Sequence, residues 1–92
     1  MEITNACLTG DQIDEIERRV NKASLGPWKS FIEGRDHTSG SSFIMTGSEN
    51  RRGNDLELSG VTADDQDFIA AARQDIPLLL AEVRRLRLLV SK

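Results

Sequence analysis

Residues 64–92, DDQDFIAAARQDIPLLLAEVRRLRLLVSK, decide how the rest of this chain can fold. At helical spacing they predict two consecutive helices, divided at Asp75-Ile76-Pro77, because Asp caps a helix and Pro is tolerated only in its first turn. In the first of the two, Phe68, Ile69 and Ala72 are expected to face inward. The second carries Leu79, Val83, Leu86 and Val90 in alternating steps of four and three, the spacing of a helix seam. Leu80, Leu88 and Leu89 widen the apolar surface beyond that seam, so a helix about 24 Å long needs cover on more than one side. A partner subunit is the natural cover, and a homo-oligomer, dimer or higher, is the expected assembly.

The length supports the same expectation. Ninety-two residues form a single domain, read as 1–92, near the lower limit for a self-sufficient core. The net charge is −3 with 29% charged residues of both signs spread along the chain, which argues against a general grip on nucleic acid. Cys7 is the only cysteine, excluding an internal disulfide and a cysteine-ligated metal site; beside Leu8 it reads as a buried, inert thiol. The amino terminus shows no basic segment followed by an apolar run, and no stretch approaches the roughly 20 apolar residues of a membrane span. The expectation is a cytoplasmic protein of a bacterial host cell, without membrane contact.

Upstream, Thr9-Gly10-Asp11-Gln12 has the spacing of a capping box. Ile13, Ile16 and Val20 then mark the buried stripe of a helix whose other face is charged. Leu25-Gly26-Pro27 is expected to end it, with Gly26 in a left-handed cap. Beyond Pro27 the period changes. Trp28, Phe31 and Ile32, then Phe43, Ile44 and Met45, then Leu56 and Leu58 form short apolar groups separated by turns, with positive φ expected at Gly34, Gly47, Asn50, Gly53 and Asn54. Thr62 or Asp64 caps the next helix, and Asp64, Asp65 and Asp67 suit the positive end of its dipole. The fold class is therefore α+β: an N-terminal helix, a small antiparallel β-meander of about three strands, and two C-terminal helices.

The order Leu8 to Ile16, then Gly26-Pro27-Trp28, then Asp67-Phe68-Ile69-Ala70 and Ala72-Arg73-Gln74-Asp75-Ile76-Pro77, then Leu79-Leu80-Ala81-Glu82-Val83-Arg84-Arg85-Leu86, resembles a group of small proteins carried by temperate phages, prophages and bacterial genomes. That resemblance implies a phage-type accessory protein with a shared frame at Gly26–Trp28 and Asp67–Pro77. It assigns no catalytic residue.

Few residues offer chemistry. His37 is the sole histidine, which leaves no histidine metal cluster and no choice of base for a catalytic triad; from its loop it could polarise a ligand hydroxyl or simply be solvated. Arg51 and Arg52, joined by Arg35 from the preceding hairpin, could form a phosphate-binding notch beside Trp28, Phe31 or Phe43 as stacking partners. Charged hairpin tips also serve merely as soluble edges. Trp28 equally reads as the anchor where the first helix meets the sheet. The acidic run Asp64, Asp65 and Asp67 reads as helix capping, and no metal or cofactor is expected. Arg84, Arg85 and Arg87 read as a solvated face flanking the seam Leu79, Val83, Leu86 and Val90. No GxxxxGK or GxGxxG loop is present, so catalysis is not expected. Two binding functions remain: docking on a host or phage protein, with interference in host defence as the setting, or an oligomeric sponge that sequesters a signalling nucleotide between subunits.

Overall fold

The computed structural model describes residues 7–91; residues 1–6, part of the stretch read for a secretory signal, lie outside it. Helix α1 (Gly10–Lys22) begins at the expected capping box: the Thr9 hydroxyl accepts from the Gln12 amide at 3.0 Å, and the Gln12 side chain accepts from the Thr9 amide at 2.8 Å. Ile13 is buried, with Ile16 and Val20 half-buried on the same stripe. The helix ends at Ala23 in extended conformation rather than at a left-handed Gly26. Gly26 passes close to the last helix, where an added Cβ would stand 3.4 Å from the Arg73 side chain, an ordinary contact distance. Among the described residues positive φ belongs to Gly34, Gly40, Gly47 and Gly60; Asn50, Gly53 and Asn54 do not adopt it.

Strands β1 (Trp28–Phe31), β2 (Phe43–Ser48) and β3 (Arg51–Arg52) form an antiparallel sheet in that order. Trp28 stands opposite Thr46 and Phe31 opposite Phe43. The third strand is not Leu56–Leu58 as the alternation suggested. It is the arginine pair, held by a tight turn at Gly47, where a Cβ would fall 2.1 Å from the Arg51 carbonyl. Leu56 makes only a single bridge to Ile44. Between the two pairings Met45 and Thr46 face Gly53, Asn54 and Asp55, an extra residue that interrupts the ladder as a bulge does. The Thr46 hydroxyl takes up the displaced Asn54 carbonyl at 2.7 Å.

Helix α2 (Ala63–Val90) is one continuous helix of 28 residues with Pro77 inside it, which corrects the expected pair of helices. Its N-cap is Thr62, in a second reciprocal box with Asp65. An interior Pro costs roughly 3 kcal/mol. Continuity is held from both sides, because the residues before Pro77 are bound to the sheet and those after it to α1. Asp75 caps nothing and is exposed.

The face that α2 lays on the sheet is polar. Gln66, only 1% exposed, donates from Nε2 toward the Ser30 hydroxyl (2.9 Å) and the carbonyls of Phe43 (3.1 Å) and Phe31 (3.2 Å). Two turns on, Gln74 accepts the Trp28 amide at 2.7 Å and donates to the Trp28 carbonyl at 3.2 Å, standing in for the neighbouring strand that the edge of β1 lacks. Ala70 between them is buried and lets the helix approach. Phe68, Ile69 and Ala72, expected inward, do not occupy this face; Phe68 is 74% exposed. Beyond Pro77, Arg84 pairs with Asp14 and Glu17 of α1, and Arg87 donates to the Leu8 carbonyl. The buried apolar side chains among the described residues are Ile13, Ile44 and Ala70, a thin core for a chain that is 38% hydrophobic. The radius of gyration is 16.5 Å, against about 12 Å for a compact domain of this length.

A carboxylate cannot donate to these acceptors, and burying an unpaired charge costs several kcal/mol. Gln66→Glu is therefore expected to lower the melting temperature at pH 7 far more than Gln12→Glu does. Equal melting curves for the two variants would contradict this account of the helix–sheet junction.

Candidate functional site

The arginines expected to converge are held apart within the chain. Arg35 lies in the loop after β1 and grips α2: its guanidinium pairs with Asp67 through two bonds of 2.7 and 3.0 Å and with Asp36 through bonds of 2.8 and 3.1 Å. Arg51 and Arg52 sit at the other end of β2, beside Gly47, where with Ser24, Leu25, Asn50 and Gly53 they line a shallow notch of about 480 Å³. Arg52 pairs with Asp55 at 2.8 Å. One arginine is thus committed to structure, and two flank an open notch.

The Arg35 bonds, followed by one from Ser30, hold the Asp67 carboxyl down at about 2 from its ordinary 3.8. Asp67 thereby ties the loop of residues 32–37 to the second turn of α2. Asp65 is used in capping and Asp64 lies exposed in the first turn, so the acidic run serves the helix start and the loop clamp. Among the described residues no group of metal-ligating side chains gathers.

His37 is half-buried rather than solvated. Its Nδ1 donates to the Ser39 carbonyl at 2.7 Å, its ring lies 5.8 Å from that of Phe43, and Nε2 is buried without a partner among the described residues. Phe43 stacks on Phe31 at 5.2 Å, with the Lys29 ammonium 5.2 Å from the Phe31 ring. Strand alternation puts this row on the sheet face away from Ser30 and Ile44, the face α2 covers. Cys7 is exposed, not buried.

Trp28 is half-buried, with Nε1 donating to the Ser24 carbonyl at 3.1 Å. It sits at the end of an open groove of about 440 Å³ between the two helices, lined by Ile16 and Val20 of α1 and Ile69, Ala72 and Ile76 of α2. A second groove of about 380 Å³ lies farther along α2, lined by Val83, Leu86 and Val90. Leu79, between them, is 60% exposed, Leu86 47% and Val90 84%. Of the seam read from the sequence, Leu79, Leu86 and Val90 are exposed in the single chain and Val83 is half-buried. The seam also extends past Pro77 to Ile76, Ala72 and Ile69, residues that the supposed helix break separated from it. Arg85 pairs with Glu82 on the exposed side of α2, whereas Arg84 and Arg87 clamp α1 rather than forming a solvated face.

Compared with family models, curated proteins and solved structures, the chain matches none. Among the described residues no helix is long and apolar enough to cross a membrane. What stands out as a site is thus a surface: an apolar strip along α2 longer than scattered exposed residues would make.

The depressed Asp67 value means that its clamp contributes stability above pH 3.8 and loses it as the pH falls toward 2. Asp67→Asn is expected to lower the melting temperature at pH 7 and to flatten the acid limb of the melting profile between pH 4 and pH 2. An acid limb identical to that of the unchanged chain would contradict the clamp.

Proposed function

We propose that this protein acts by binding, without catalysis, and that the apolar face of α2 is its binding surface. The observation that carries this reading is the exposure of Leu79, Leu86 and Val90 on a helix whose opposite side is already occupied by the sheet. A contiguous apolar strip of this length is unfavourable in water and is the form a protein-binding surface takes. The sequence resemblance makes a phage-type accessory protein the natural setting, in the cytoplasm of a bacterial host, with interference in host defence through docking on a host or phage protein as the biological role.

The alternative, an oligomeric sponge for a signalling nucleotide, has less support. Both edges of the Arg35 guanidinium are bound to carboxylates, and drawing it to a phosphate means breaking a bidentate pair. The notch at Arg51 and Arg52 is what remains for an anion. The row of Phe31, Phe43 and His37 lies on the sheet beside the opposite end of β2.

Native mass spectrometry of the protein taken directly from expressing cells tests both. The expected species is a protein assembly that falls to the 10.2 kDa chain when Leu79 and Leu86 are both replaced by Gln. A bare monomer of the unchanged chain contradicts the binding reading. A retained mass of nucleotide size, lost on Arg51→Ala with Arg52→Ala, would shift the function to the sponge.

A further inference from the structure

The reading of α2 as a binding face leaves its occupant unnamed. We infer that the occupant is a second copy of this chain, and that the two α2 helices pair in parallel and in register as a two-stranded coiled coil over Ile69–Val90. This inference rests on the proposed binding face and adds partner, number and orientation.

Continuity through Pro77 makes the count possible. With Ile69 as position a of a seven-residue repeat, the a positions are Ile69, Ile76, Val83 and Val90, and the d positions are Ala72, Leu79 and Leu86. Every a residue is β-branched, and two of three d residues are Leu. That division is the one that favours two parallel strands, because a β-branched side chain at a and Leu at d each suit the packing geometry of a dimer. Pro77 falls at b, off the seam.

The flanking charges choose the orientation. In a parallel pair each g residue approaches the e residue five positions later on the other chain, which brings Glu82 toward Arg87 of the partner subunit, Asp75 toward Leu80 of the partner subunit and Phe68 toward Arg73 of the partner subunit. No like charges meet, and within each chain Arg87 stays held by the Leu8 carbonyl and Arg73 by the Ser24 carbonyl. In an antiparallel pair of the same overlap, g meets g and e meets e. Asp75 would then face Glu82 of the partner subunit, and Arg73 would face Arg87 of the partner subunit, like charges on both sides of the seam.

The fold leaves room for the second helix. Gln66, Ala70 and Gln74 turn toward the sheet while the seam turns away from it, so each copy's sheet lies outside the pair. Of the two open grooves, the one at Val83–Val90 lies on the seam itself, and the one at Ile69–Ile76 is walled on its other side by Ile16 and Val20 of α1.

Disulfide trapping in a Cys7→Ser background tests the inference, with Leu79→Cys and Leu86→Cys examined separately and Leu78→Cys, on another side of the helix, as control. In the parallel pair both seam cysteines face their own counterparts, and both are expected to cross-link under mild oxidation at least tenfold faster than the control. In the antiparallel pair residue 79 stays near its counterpart while residue 86 is about 20 Å from its own, beyond disulfide reach. Cross-linking at 79 alone therefore overturns the orientation. Cross-linking at neither position, with an assembly still present in native mass spectrometry, overturns the second copy as occupant and leaves the binding reading standing. Cross-linking at neither position with a bare monomer overturns both.

Discussion

The structure depends on how α2 meets the sheet, and that junction is made by two side-chain amides. Gln66 and Gln74, two turns apart, satisfy the backbone of β1 and reach the Phe43 carbonyl, with Ala70 drawn in between. An amide is well suited to this because it both donates and accepts, as a neighbouring strand would. The consequence reaches the far side of the helix. With polar residues used on the sheet, the apolar residues of α2 are left on another face, half-covered by α1 at Ile69, Ala72 and Val83 and exposed at Leu79, Leu86 and Val90.

The rest of the architecture follows from the same economy. Three buried apolar side chains give a small core to a molecule that extends over 54 Å. α1 and the sheet hold successive halves of α2, through Arg84 and Arg87 on one side of Pro77 and the glutamines on the other. Hydrophobic burial that a compact chain of this size would gain internally is displaced to the seam. On the proposed reading, association at that face supplies what folding alone does not.

Much of this was legible in the residues. The Thr9 capping box carries a local signature, Thr62 is one of the two N-caps that the sequence offers for α2, and the Ile13 stripe and the first two strands follow from period alone. Pro77 misled because a helix break is the usual consequence of proline, and the contacts that override it are distant in sequence. The inward face of α2 misled because periodicity assigns apolar residues to the interior, and here glutamines took that place. Alternation points to Leu56–Leu58 for the third strand, whereas the strand that pairs beyond Gly47 is Arg51–Arg52. Arg35 was read from its charge as free for a ligand, yet its partner Asp67 lies thirty-two residues on, where no local pattern points. The seam was visible from Leu79 onward, and only helix continuity joins Ile76, Ala72 and Ile69 to it.

The central claim is that the exposed seam of α2 is closed by protein contact in solution. Amide hydrogen exchange along α2, compared between the unchanged chain and a variant with Leu79→Gln and Leu86→Gln, tests it most directly. Gln matches Leu closely in helix propensity, and both positions are substantially exposed in the single chain, so an isolated helix has little reason to respond. The account predicts strong protection from Leu78 to Val90 in the unchanged chain that collapses in the variant. Matching exchange profiles for the two proteins would contradict it.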